Sequence, residues 1–202
     1  MWFFELTLQT IGFRVAGLML VVTVQGVVLA AVARALGDEG PAQDGRLALA
    51  PAAHVDPAGA VAWVIFGLGW GKVLLIDPKR FRHPMGGAAL IVAAGVAAPL
   101  VLAAVLFALV GPILGQLAGT TGLWLAALLR SVADQAIWLA LLSLVPVPPL
   151  TAGVLPAAAG FVPVRRLGFV LVAVLLVLIA SGLARDLLAP VHAAVSALLR
   201  GI

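Results

Sequence analysis

Between Thr10 and Ala33 the chain carries one charge, Arg14, and comparably apolar runs follow from about Gly86 to Val110, Leu123 to Val145 and Leu167 to Leu183. A helix rises about 1.5 Å per residue, so roughly 20 apolar residues cross a hydrocarbon core of about 30 Å. Inside that core every backbone polar group must be paired internally, which leaves helices or closed barrels. Unbroken runs of this length are helical, and the chain reads as an all-α polytopic membrane protein. Composition agrees, since 64% of residues are hydrophobic and 10% charged. No polar stretch is long enough for a separate soluble domain, so residues 1–202 are read as a single membrane domain. A cleavable signal peptide is not expected, because the first run lacks a basic leader and continues at spanning length. The absence of Cys excludes disulfides and thiolate metal sites. The net charge of +4 does not imply nucleic acid, because the basic residues are few and stand at the ends of apolar runs.

Four segments lie between or beyond these runs. A polar loop, 34–57, is rich in Asp, Gly and Pro. The stretch 58–76 is interrupted by Gly67, Gly69 and Gly71, which makes it short for a span and predicts a re-entrant or hairpin segment. A basic segment, 77–84, precedes the second long run, and a mildly amphipathic tail, 186–202, suits the membrane interface. With 58–76 re-entrant, Arg34, Arg46, Lys72, Lys79, Arg80, Arg82, Arg165 and Arg166 share one side against Arg185 and Arg200, an 8:2 split. If 58–76 spanned, the split would be 6:4. The positive-inside rule therefore predicts about four transmembrane helices plus the re-entrant segment, with both termini outside.

Three blocks carry more specific information. The first is Leu36-Gly37-Asp38, Gly45-Arg46-Leu47, Pro51 and His54-Val55-Asp56-Pro57 with Gly59; the second is Gly71-Lys72 with Asp77-Pro78-Lys79-Arg80-Phe81-Arg82-His83-Pro84; the third is Leu144-Val145-Pro146-Val147-Pro148-Pro149-Leu150. In this order they resemble segments of the site-2 protease family, bacterial membrane metalloproteases in which a helix bearing HExxH precedes the first block. The resemblance covers nearly the whole chain. It implies a zinc site formed by two His one helical turn apart, a Glu beside the first and a distant Asp.

Counting thirteen residues back from Asp38 places Gln25 at the first His, Gly26 at the Glu and Leu29 at the second His. Thr151 stands at the Asp, Ser143 at the Asn before the third block, and Ala94-Gly95-Val96-Ala97-Ala98-Pro99 lacks another Asn of the pattern. Losing both His, the Glu and the Asp leaves no first shell for zinc, so the resemblance implies a pseudoprotease with no cofactor and no metal. His54, His83 and His192 do not converge in the predicted topology. His54 and Asp56 match a His-x-Asp-Pro of the family and are read as ordering the loop.

Charges at membrane depth are usually paired, so Arg130 and Asp134, four apart, predict an internal ion pair. Arg14 is read as snorkelling to the outer headgroups or meeting an acidic partner. Pro112 makes Gly111, Gly115 and Gly119 a helix end and turn in preference to a packing face. Trp2, Trp63, Trp70, Trp124 and Trp138 fall mostly near run ends and are read as interfacial anchors.

A protease fold without its metal retains a groove for membrane segments. The expectation is a multi-pass protein of the bacterial cytoplasmic membrane that binds other integral membrane proteins, among lipid, as an accessory subunit or an assembly or stability factor. Two alternatives stand beside it: a residual or altered intramembrane hydrolase using Ser143, Thr151 or an unrecognised metal site, and a small-molecule or ion carrier using Arg130 and Asp134.

Overall fold

In the computed structural model, which describes residues 6–160 and 168–201, the first run forms α1 (Leu8–Ala35). Thr7 caps it by accepting from Thr10 N, 3.1 Å. A short α2 (Gly40–Gln43) and a 3-10 turn (Pro51–Ala53) follow, then α3 (Pro57–Phe66), α4 (Pro84–Gln116), α5 (Gly119–Leu142), α6 (Val154–Ala158), α7 (Gly168–Ala180) and α8 (Leu183–Arg200). Helices α1, α4 and α5 are each long and apolar enough to cross a membrane, and α7 with α8, bent by 69°, makes a fourth candidate. They pack mainly on one another, with Ala103, Ala133 and Ala136 fully buried where the helix surfaces meet. Arg165, Arg166, Leu167 and Trp2 lie outside the described residues.

The predicted re-entrant segment is a hairpin laid along α1. Asp56 caps α3 by accepting from Gly59 N, 2.8 Å, and after the ten residues of the helix Gly67, at φ +74°, ends it in the left-handed conformation that glycine adopts freely. Ten residues rise about 15 Å, too little to cross. The chain returns extended and pairs Gly71 with Val55 in an isolated antiparallel bridge. Close approach is built in, because a Cβ on Gly69 would meet the carbonyl of Gly59.

Both ends of the excursion meet at Asp38. Its buried carboxylate accepts from Gly40 N at 3.0 Å and Asp77 N at 2.8 Å and pairs with Arg80 at 3.5 Å. Segment 38–77 therefore leaves and rejoins the bundle at the same end of α1.

Several expectations are corrected. Arg14 donates through Nη1 to the carbonyls of Val64 and Ile65, both at 2.7 Å, and so caps the C-terminus of α3. Asp134 pairs with Arg200 of α8 at 3.2 Å, while Arg130 is exposed and has no ion pair among the described residues. The long-range partner prevails because α8 folds back across α5, where His192 stacks on Trp138 with centroids 4.2 Å apart. Pro112 lies inside α4, and the turn is confined to Gly119 at φ +74°. Trp63, Trp70 and Trp138 are buried, and of the described tryptophans Trp124 is the exposed one.

Burial of Trp63 depends on a polar node. Its Nε1 donates to Gln135 Oε1 at 2.6 Å, and Gln135 Nε2 donates to Phe13 O at 3.2 Å and Ser131 O at 3.0 Å, linking α1, α3 and α5. Gln135→Leu leaves buried donors and acceptors unpaired and is expected to cost about 1–3 kcal/mol. Thermal unfolding in mild detergent measures it, and an unchanged midpoint would contradict the node.

Candidate functional site

Pro99 initiates the site. Lacking an N–H, it leaves the carbonyl of Gly95, four residues earlier in α4, without its helical donor. Gln25 of α1 fills that need, donating Nε2 to Gly95 O at 2.7 Å and to Ser143 Oγ at 2.8 Å. Ser143 stands at the C-cap of α5 and donates to Leu139 O at 2.7 Å, and Thr151 Oγ1 stands 3.5 Å from Ser143 Oγ. Gly95 also makes room for Thr151, whose methyl group would meet any Cβ there at 2.6 Å. Gln25, Gly95, Ser143 and Thr151, from four separate segments, thus meet in one neutral hydrogen-bonded cluster.

Beside it lies Gly26. His54, 1% exposed, rests on this glycine so closely that an added Cβ would fall inside contact distance of Nδ1 and 3.0 Å from Cε1. His54 Nε2 is 2.9 Å from Ala48 O, which fixes Nε2 as the protonated nitrogen. Nδ1 packs on the helix, with no hydrogen-bond partner among the described residues. His54 is read from the sequence as ordering the loop; the structure places its Nε2 on Ala48 O and adds the contact with Gly26 that sequence reasoning missed.

Arg46 clamps the hairpin over this site. Its guanidinium donates to the carbonyls of Ala53, Lys72 (2.9 Å) and Val73 (2.7 Å), so one side chain ties the descending polar loop to the returning strand. Burial draws its pKa below the ordinary guanidinium value, against the opposing pull of Asp44.

Gln25, Gly26, His54, Ser143 and Thr151 line one cavity of about 1070 Å³. They give its polar lining; Val22, Leu29, Ile91 and Leu139 give apolar walls; Lys72 lies beside His54, whose carbonyl accepts from its N–H at 2.6 Å, and Asp77 lies where its N–H meets Asp38. The donor set does not fit zinc. Gln25 has its amide nitrogen committed to two acceptors, Leu29 offers only carbon, and Thr151 offers a neutral hydroxyl. Among the described residues no three His, Cys, Asp or Glu side chains come together as a metal-ligand group. His83 stands at the N-cap position of α4, and His192 belongs to α8 and packs against Trp138 of α5, both away from His54. Among the described residues Ser143 has no base within hydrogen-bond reach, which disfavours it as a nucleophile.

No protein-family model matches the chain, and no solved structure does. A search of curated proteins finds a likeness to the Bacillus subtilis (strain 168) protein named "Putative zinc metalloprotease YwhC", at 30% identity over 151 residues, spanning 71% of this chain and 67% of that protein. That name is of the site-2 protease type, and the helical bundle with its candidate spans accords with it. By this likeness, extending over two thirds of both proteins, the chain belongs to the site-2 protease family.

Proposed function

We propose that the chain is a non-catalytic member of this family that binds other integral membrane proteins in the bacterial cytoplasmic membrane, as an accessory subunit or as an assembly or stability factor. One observation carries the reading: the cluster of Gln25, Gly95, Ser143 and Thr151. At the positions where the family resemblance calls for two imidazoles and two carboxylates stand Gln25, Gly26, Leu29 and Thr151; Gln25 and Thr151 both reach Ser143 Oγ, and none of the four supplies an anionic ligand or a base to activate water. A fold that keeps its hairpin and cavity without that chemistry retains the means to hold a membrane segment. The carrier alternative has less support, since Asp134 is engaged by Arg200 and Arg130 faces outward.

Affinity purification from native membranes in mild detergent, with mass spectrometry of co-purifying proteins and metal analysis of the same sample, tests the proposal. The expected result is a stoichiometric membrane partner and substoichiometric zinc. Stoichiometric zinc without a partner would return the chain to the enzymes.

A further inference from the structure

The depth of the hairpin can be read from α1. Val22 stands 14 residues after Leu8 and 13 before Ala35, so it lies about 20 Å from either end of that helix. With about 15 Å of hydrocarbon in each leaflet, Val22 is close to the bilayer midplane. The hairpin reaches this level. A Cβ on Gly71 would meet Val22 Cβ at 3.2 Å and His54 O at 3.1 Å, and the next residue, Lys72, donates its N–H to His54 O at 2.6 Å. His54 in turn rests on Gly26, one helical turn from Val22. Lys72, counted from the sequence with the charges of one side, therefore starts near mid-membrane.

Among the described residues Lys72 is exposed and has no carboxylate within 4 Å. Asp56, on the opposing limb, accepts from Gly59 N as the cap of α3, and Asp77, at the far end of the strand, has Arg80 at 3.7 Å. A lysine stem of about 6 Å does not carry the ammonium to the headgroups, because about 9 Å of hydrocarbon remains even from the level of Gly26. That distance sets aside a lipid phosphate as the counter-ion. An unpaired ammonium is costly in hydrocarbon, and non-helical backbone at this depth is tolerated against protein or water and not against lipid. The neighbouring side chains favour protein over water, since Val73 and Leu75, next along the strand and also exposed, are apolar.

We infer that the exposed face of the strand at Lys72 docks a transmembrane helix of a partner protein, and that this helix carries an Asp or Glu at mid-membrane whose carboxylate pairs with the Lys72 ammonium. The inference rests on the partner-binding reading above and adds to it the chemistry of the partner.

The full chain, reconstituted in phosphatidylcholine bilayers, is titrated with a labelled Leu/Ala helical peptide of about 20 residues bearing Asp, Asn or Leu at its centre, and binding is read by energy transfer. The Asp-centred peptide is expected to bind about tenfold more tightly than the other two; in K72M this advantage disappears, and in K72E it passes to a Lys-centred peptide. Because the peptide carries the change, the first comparison does not depend on how a variant folds. A second arm exploits the absence of Cys from the sequence. In native membranes Lys72→Cys should resist a membrane-impermeant maleimide that labels Lys79→Cys. Equal affinity for the three peptides would overturn the inference, as would Lys72→Cys reacting as fast as Lys79→Cys, the mark of a water-filled cleft. Affinity purification separates this inference from the wider reading. A membrane partner retained equally by K72E overturns the inference and leaves that reading standing, whereas stoichiometric zinc without any partner overturns both.

Discussion

Gly26→Ala is expected to destabilise the protein by about 2–4 kcal/mol, although it adds one methyl group to a helix. Alanine favours helix more than glycine does, so local propensity predicts a gain of up to about 1 kcal/mol. Packing reverses that sign, because the new Cβ would overlap the His54 ring, which is enclosed and held to Ala48 O. To accept the methyl group the imidazole must leave its place and surrender that hydrogen bond. The double mutant isolates this cause: with His54→Ala in place, Gly26→Ala should cost less than about 1 kcal/mol. Thermal unfolding of the four proteins in one detergent reads the coupling, and equal costs in both backgrounds would refute the contact. The same overlap predicts that Q25H/G26E/L29H, which writes HExxH back into α1, does not assemble a stoichiometric zinc site. The new carboxylate would have to displace His54 first.

Arg46→Ala should produce the second large effect, about 3–5 kcal/mol, because it removes a buried cation and leaves the carbonyls of Ala53, Lys72 and Val73 without their donor. Lysine is not a conservative replacement here. One ammonium lacks the planar fork that spans both limbs of the hairpin, so Arg46→Lys is expected to recover less than half of the loss. Limited proteolysis shows where the energy was stored: cleavage should increase within 47–56 and 67–77 while α1, α4 and α5 stay protected. Uniform loss of protection across the bundle would mean that Arg46 supports more than the hairpin.

The spans were legible because apolar length is a local property. The Thr10–Ala33 run became α1 with two residues added at each end, and glycines at 67, 69 and 71 correctly marked a segment too short to cross. The site positions were legible through spacing, since counting back from Asp38 selected Gln25, which the fold brings to Ser143 from 118 residues away. What escaped was set by tertiary contact. Nothing in Arg130 or Asp134 states that α8 will return to place Arg200 beside the carboxylate, so the nearest cation in sequence was the wrong one. His54 and Gly26 meet across 28 residues through the shape of a loop, and no period or motif encodes that. One signal was present but unread: Pro99 inside an apolar run guarantees an orphan carbonyl at Gly95, and Gln25 is the buried amide that supplies its donor.

The joining of both hairpin ends at Asp38 has a consequence for biogenesis. An excursion that exits where it entered contributes an even number of crossings, so it adds nothing to the direction in which α4 must travel. The parity of the later spans is independent of how deep the hairpin inserts, or when. The hairpin can therefore thread after the bundle has been oriented, and changes to its length or composition alter what the cavity holds without inverting the protein in the membrane.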